Sequence, residues 1–281
     1  MRFICLAFIA LLGCDKSKEG HFTKGEPLGK VSKRLEEASG LAASVNNPGY
    51  FWTINDSGNP AEVFLLDDHA NIKLVCQLTK ATNRDWEEIR VASDSGKSYL
   101  YIADIGDNNA EYDLKFIYRF EEPVLAKAKK LIIEDIDTLI VKMPDGKRDT
   151  ESVMIDPSTH DLYVLSKRED SIGLYVSRYP FSKDTLVLDK ILTMPFHNIV
   201  SGDISADGQE ILLKIYDEIY YWKRSVNENI SELLTKVPIE LPYSREKQGE
   251  AITWALNGSG YYTLGESSKE DQAQLMFYKR K

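Results

Sequence analysis

Residues 87–108 read EEIRVASDSGKSYLYIADIGDN, and this stretch decides the fold class. Glu87 stands two positions before the aliphatic Ile89, a strand-like segment follows, and Ser93, Gly96 and Lys97 fall where a tight turn is needed. A second apolar segment, residues 99–103, returns from the turn and runs into the polar cluster Asp104, Asp107 and Asn108. Small and polar residues in such a slot are hairpin chemistry, because they accept the backbone conformations of a tight reversal. The unit recurs along the chain. Its other openers are Ser39 before Leu41, Glu151 before Val153, Gly202 before Ile204 and Glu250 before Ile252, and successive openers lie 48, 64, 51 and 48 residues apart. The returning segments are residues 50–54, 162–166, 210–213 and 261–264, each followed by polar residues.

Short antiparallel strands repeating at about fifty residues predict an all-β chain folded as a β-propeller, with five four-stranded blades around a channel. Six blades, or a β-sandwich, are the alternatives, because the 64-residue interval is long. That interval holds residues 122–130, an Ala- and Lys-rich stretch with Pro123 near its start, which reads as a blade-edge loop or helical turn. After Glu250 there is room for three strands, so a segment between His21 and Lys33 is expected to supply the fourth and close the ring.

Composition agrees with a folded β protein. Of 281 residues, 43% are hydrophobic and 28% charged, enough for a sizeable core, and fifteen Tyr against five Met lean toward strands. The net charge of −9 argues against a general nucleic-acid binder, whose affinity comes from excess basic side chains. The four histidines are scattered without zinc-ligand spacing, Ser39 and Ser201 lack a histidine at a matching blade position, and no glycine-rich phosphate loop is present.

The N-terminus reads as an address. Arg2 precedes an apolar run at residues 3–12, too short to span a bilayer, and the run ends in Leu11, Leu12, Gly13 and Cys14. This ending resembles the lipobox of bacterial lipoproteins. It implies a signal peptide at residues 1–13, a lipid on Cys14, a lipid-anchored linker at residues 14–27 and a propeller domain at residues 28–281. The expected location is the bacterial cell envelope, periplasmic or outer surface, as a monomer held to the membrane through Cys14. An ordinary secretory signal with a chance cysteine is the alternative.

In a propeller, the start of each innermost strand and the end of the second strand lie at the same mouth. The openers Ser39, Glu87, Glu151, Gly202 and Glu250 therefore form a ring, with Glu88 and Asp203 adjacent and no basic residue at equivalent positions. Converging carboxylates raise one another's pKa or demand a cation. Ser39, Glu87, Glu151, Asp203 and Glu250 are expected to hold Ca²⁺, which takes six to eight oxygens in loose geometry; backbone capping is the alternative. The strand ends add Asn55, Asp56, Asp104, Asp107, Lys167, Arg168, Lys214 and Glu266 to the rim. Lys167, Arg168 and Lys214, with Asn55 and Glu266, would bind a phosphate-containing or other anionic small molecule, unless the basic residues pair with Glu169 or Asp217. Asp56, Asp104 and Asp107 are the candidates to accept a proton from water.

The openers resemble those of the soluble calcium-activated nucleotidase (apyrase) family. Ser39, Glu87, Glu151 and Glu250 fall where that family has Ser, Glu, Glu and Glu, while Gly202 stands where a serine is expected and Asn55, Asp56, Ser57, Gly58 lack the following arginine. The resemblance covers most of residues 37–268. It implies a five-bladed propeller with a central Ca²⁺ and, more remotely, nucleotide hydrolysis. Two functions follow from the sequence: a calcium-binding envelope module whose mouth binds an anionic ligand or partner, or a calcium-dependent phosphohydrolase of nucleotidase or phosphoesterase type.

Overall fold

The computed structural model describes residues 20–181, 184–268 and 270–281. The expected signal peptide, residues 1–13, and Cys14 lie outside the described residues. The strands group into five sheets, which settles the blade number at five. The first blade runs from its innermost strand Ala38–Ala43 through Phe51–Asn55 and Glu62–Leu66 to Ile72–Leu78. The second is Trp86–Asp94, Lys97–Asp104, Lys115–Glu121 and Asp137–Lys142. The third is Thr150–Ile155, Leu162–Ser166, Ile172–Ser177 and Asp189–Met194, and the fourth is Ile199–Ile204, Glu210–Ile215, Ile219–Lys223 and Ile239–Leu241.

The fifth blade closes the ring as the sequence anticipates. Its strands Ala251–Trp254, Gly260–Leu264 and Gln274–Lys279 are completed by the N-terminal strand Glu26–Lys30, which pairs antiparallel with Gln274–Lys279. The paired segment starts at Glu26, two residues before residue 28, the expected beginning of the propeller domain. Phe22 is already buried and bridges to Arg280.

Hydrophobic clusters fill each interface between neighbouring blades. Trp52, Ile54 and Leu65 pack against Trp86, Ile89 and Leu100 between blades one and two, and comparable clusters occupy the other four seams. Blade packing of this kind is where a propeller gains its burial energy, since a lone four-stranded sheet exposes both faces.

The long interval has a structural cause. After Lys115–Glu121 the chain reaches back to the first blade, where Lys130–Ile133 pairs parallel with Ile72–Leu78, before returning as the second blade's outer strand. Glu122 fastens this excursion by accepting hydrogen bonds from Trp52 Nε1 at 2.8 Å and the Asn46 amide at 3.0 Å. Leu186–Val187 likewise leaves the third blade and pairs parallel with Asp137–Lys142 of the second. Covering an outer edge removes a row of unpaired backbone groups.

The innermost strands of blades one to four carry register irregularities near the mouth. In blades two and three the unpaired residues are Glu87 and Glu151. In blade four the corresponding residue is Val200, because Ser201 pairs with Lys214 and Gly202 with Leu213. By the same register the unpaired residue of blade one is Gly40 rather than Ser39, so the counterparts of Glu87 and Glu151 are Gly40 and Val200, and Gly202, expected as the fourth opener, lies deeper in the channel.

Candidate functional site

The channel axis is closed by a side chain. Arg90, on the second blade's innermost strand, is 3% exposed. Its guanidinium donates to the carbonyls of Leu41 (2.7 Å), Val153 (3.0 Å), Gly202 (2.5 Å) and Ile252 (3.1 Å), one from each of the other four blades. It also pairs with Glu88 at 2.7 Å and donates to Ser201 Oγ at 3.0 Å, and Ser201 in turn donates to Glu88. Residues two apart on a strand share a face, so Glu88 and Arg90 both point inward. Arg suits this position because its planar fork presents five donors and stays charged when buried. The protein therefore carries its own cation at the level where carbonyls of the other four blades converge.

Above Arg90 the mouth is acidic. The bulge at Glu87 lets consecutive residues, Glu87 and Glu88, both reach the channel instead of alternating across the sheet. Carboxylate oxygens of Asp56, Asp85 and Glu87 lie within 4.8 Å of one another. Asn83 holds the segments together: its side-chain amide donates to the carbonyls of Asn55 at 3.0 Å and Asp56 at 2.8 Å, and its oxygen accepts from the Trp86 amide at 3.1 Å. Gly106 makes room. A Cβ there would fall 2.2 Å from Glu87 Oε1 and 2.3 Å from Asp85 Oδ2, so any side chain would collide with the two carboxylates. Among the described residues, none of these three acids forms an ion pair.

The crowding is visible in their acidity. Burial, then the charges of Asp56 and Asp149, pushes the Asp85 carboxyl up to about 6. Burial and the neighbouring Glu151 raise Glu87 well above the ordinary carboxylate range, and burial raises Asp56. These groups either hold protons or need a positive partner.

The other expected cation ligands are placed differently. Ser39 Oγ donates to the Glu87 carbonyl at 2.7 Å, joining blades one and two. Glu151 pairs with Lys167 and shares a hydrogen bond with Glu87, while Glu250 accepts from Tyr216 at 2.8 Å. Asp203 sits deeper, accepting from the Trp254 amide at 2.8 Å and Thr253 Oγ1 at 3.0 Å. It lines a cavity of about 260 Å³ with Arg90, Ala42 and Trp254 rather than the acidic mouth.

The basic residues expected to grip an anion face separate partners. Lys167 is 5% exposed and bound to Glu151; Arg168 pairs with Asp149 and Asn108; Lys214 is fully buried and donates to the carbonyls of Gly249 and Ile215. Burial lowers the Lys214 ammonium to about 8 against the opposing pull of Glu246. Of the acids expected to handle a proton, Asp56 lies in the mouth. Asp104 accepts from the Asp85 amide at 2.8 Å, and Asp107 caps the amides of Glu111 (2.6 Å) and Tyr112 (2.9 Å). Asn55 donates to the Arg34 carbonyl at 2.8 Å, and Glu266 accepts from Gln248 at 2.7 Å, its carboxyl raised to about 7 by burial and by Glu250.

Asp85, Arg90 and Gly106 were not singled out by the sequence as site residues. The signal for Asp85 was its place beside Trp86 at the start of an innermost strand.

No protein-family model and no curated protein matches the chain. Among solved structures it is similar to the propeller of Dos1, with a TM-score of 0.40 and 12% identity. That match covers 86% of this chain, which spans 59% of the length of the other. The five sheets themselves carry the fold assignment.

Proposed function

We propose that the channel mouth binds a hard divalent cation through Asp56, Asp85 and Glu87, and that the propeller is a cation-dependent ligand-binding module. The observation that carries this reading is the convergence of the three carboxylates on a glycine cradle, none of them in an ion pair among the described residues. Oxygen-only donors on segments from two blades favour Ca²⁺, which tolerates irregular coordination. The cation would supply the missing positive charge and offer coordination positions to ligand oxygens. With Cys14 lipidated, as we also propose, the module would stand at a bacterial membrane surface.

The arrangement supports binding over phosphate-ester hydrolysis, because Lys167, Arg168 and Lys214 are each occupied by internal partners. A ligand that binds only the native state raises its stability by mass action, by about 2.7 kcal/mol at a hundredfold excess over Kd. Wild type should therefore melt higher in Ca²⁺ than in EDTA, and Asp85→Asn should lose most of that difference. Identical melting of wild type in both conditions would overturn the reading.

A further inference from the structure

We propose that the cavity between the third and fourth blades, next to the mouth, is a subsite for a neutral pyranose sugar. The proposal names a ligand class for the mouth and rests on reading that face as a binding face. The cavity measures about 330 Å³ and is lined by Phe196, His197, Asn198, Tyr216, Asp217 and Tyr220 among others. Two features point to carbohydrate.

The first is a half-buried aromatic wall with polar groups at its edges. The Phe196 and Tyr220 rings lie 4.8 Å apart at a 42° tilt, and both pack on the buried core of the seam, which fixes them. An aromatic face is electronegative and attracts the polarised C–H groups of a sugar ring laid against it. His197 Nδ1 lies 3.0 Å from the Glu169 carbonyl; donating there makes Nε2 the acceptor nitrogen. Asn198, held in the left-handed conformation (φ +59°) with its amide on the Lys167 carbonyl at 2.8 Å, supplies both a donor and an acceptor. Pockets that combine apolar walls with a few such polar groups are ordinary small-ligand sites.

The second is charge. Asp217 lines the cavity, the Tyr220 hydroxyl donates to Glu218, and the Tyr216 hydroxyl donates to Glu250 at the mouth. The cations nearby are paired, Arg245 with Asp217 at 2.7 Å and Lys167 with Glu151. With Asp217 and Glu151 taken up by those pairs, the excess charge is that of Glu218 and Glu250; carboxylates accept hydrogen bonds from hydroxyls and repel phosphates and uronates, so the surroundings select a neutral polyol over an anion. Tyr216 connects the two places: its ring lines the cavity, its hydroxyl holds a mouth carboxylate, and Lys167 Nζ lies 5.3 Å from its ring centre. A glycan seated here would extend toward the acidic mouth.

The test is calorimetric titration of the protein with four neutral pentasaccharides (of glucose in α- and β-linkage, mannose and N-acetylglucosamine), with pentagalacturonate and ATP as anionic probes. At least one neutral probe should bind more tightly than about 1 mM, and neither anion should compete. His197→Ala and Asp217→Ala alter exposed side chains and should leave melting unchanged while weakening the neutral probe about three- to tenfold; Tyr220→Ala, which also loses packing on the seam, should weaken the probe by at least as much. No binding by any neutral probe, preferential binding of an anion, or unchanged affinity in all three variants would overturn the proposal. The titrations are repeated in EDTA, and Ca²⁺ binding is measured separately. Sugar binding without Ca²⁺ binding would sink the cation reading alone, and Ca²⁺ binding without sugar binding would sink the subsite alone.

Discussion

Replacing Arg90 with methionine keeps an unbranched apolar stem and removes the charged guanidinium at the point where all five blades meet. Two costs follow. The carbonyls of Leu41, Val153, Gly202 and Ile252 lose their shared donor, and Glu88, fully buried, loses its ionic partner. The carbonyls are neutral and Glu88 is the ionisable group left without its partner, so the charge dominates the estimate. Breaking a buried pair by deleting one partner costs about 3–5 kcal/mol. Burial pushes the Glu88 carboxyl up to about 8 even against the pull of Arg90, so much of it already carries a proton at neutral pH; deleting Arg90 completes that protonation and holds the cost near the lower figure. About 3 kcal/mol, at roughly 2–4 °C per kcal/mol for a domain of this size, lowers Tm by about 6–12 °C. Differential scanning calorimetry in EDTA reads this directly. Adding Glu88→Gln to Arg90→Met removes the unpaired acid and should recover part of the loss, because the two residues form one network. A single variant melting within about 3 °C of wild type would refute the assignment of Arg90 as the hub, and so would a double variant that recovers nothing.

Two further outcomes are expected. Burial works to raise the Asp67 carboxyl, but bonds from Lys73, Asn71 and the His69 amide outweigh it and hold the group down at about 2. A depressed acid contributes stability that is present above its unfolded value of 3.8 and is lost as pH falls through about 2, so Asp67→Asn should flatten the acid limb of the Tm profile between those values and lower the plateau above them. For the N-terminus, full-length protein expressed in a bacterial host should partition into detergent and Cys14→Ser should not; aqueous partition of both would refute lipid anchoring.

The blade pattern was legible because each hairpin announces itself locally, through turn residues between apolar segments, and because the openers repeat at nearly constant spacing. Where a blade departs from the repeat, the sequence misleads. In blade four the bulged residue is Val200, with no acidic mark, so the repeat points instead to the small residue Gly202 two positions later. The edge strands Lys130–Ile133 and Leu186–Val187 were invisible because each pairs with a sheet other than its own, and nothing local to an Ala- and Lys-rich stretch names that partner. At the mouth, the acidity of Glu87 and Asp56 could be read from their strand positions. The roles of Asp85, Gly106 and Arg90 could not, because they depend on which way a bulged strand turns its side chains and on how closely a neighbouring backbone approaches. Lys167, Arg168 and Lys214 show the converse: residues adjacent in the repeat are each taken up by a different partner once the blades pack, two by carboxylates and Lys214 by backbone carbonyls.

The most direct test of the cation mouth is anomalous diffraction from crystals of the propeller grown with Mn²⁺ as a probe and then with Ca²⁺. The account predicts one strong peak at metal-ligand distance, about 2.0–2.6 Å, from carboxylate oxygens of Asp56, Asp85 and Glu87, lost in Asp85→Asn. A mouth without a peak in wild-type crystals, with the same three carboxylates in place, would contradict it.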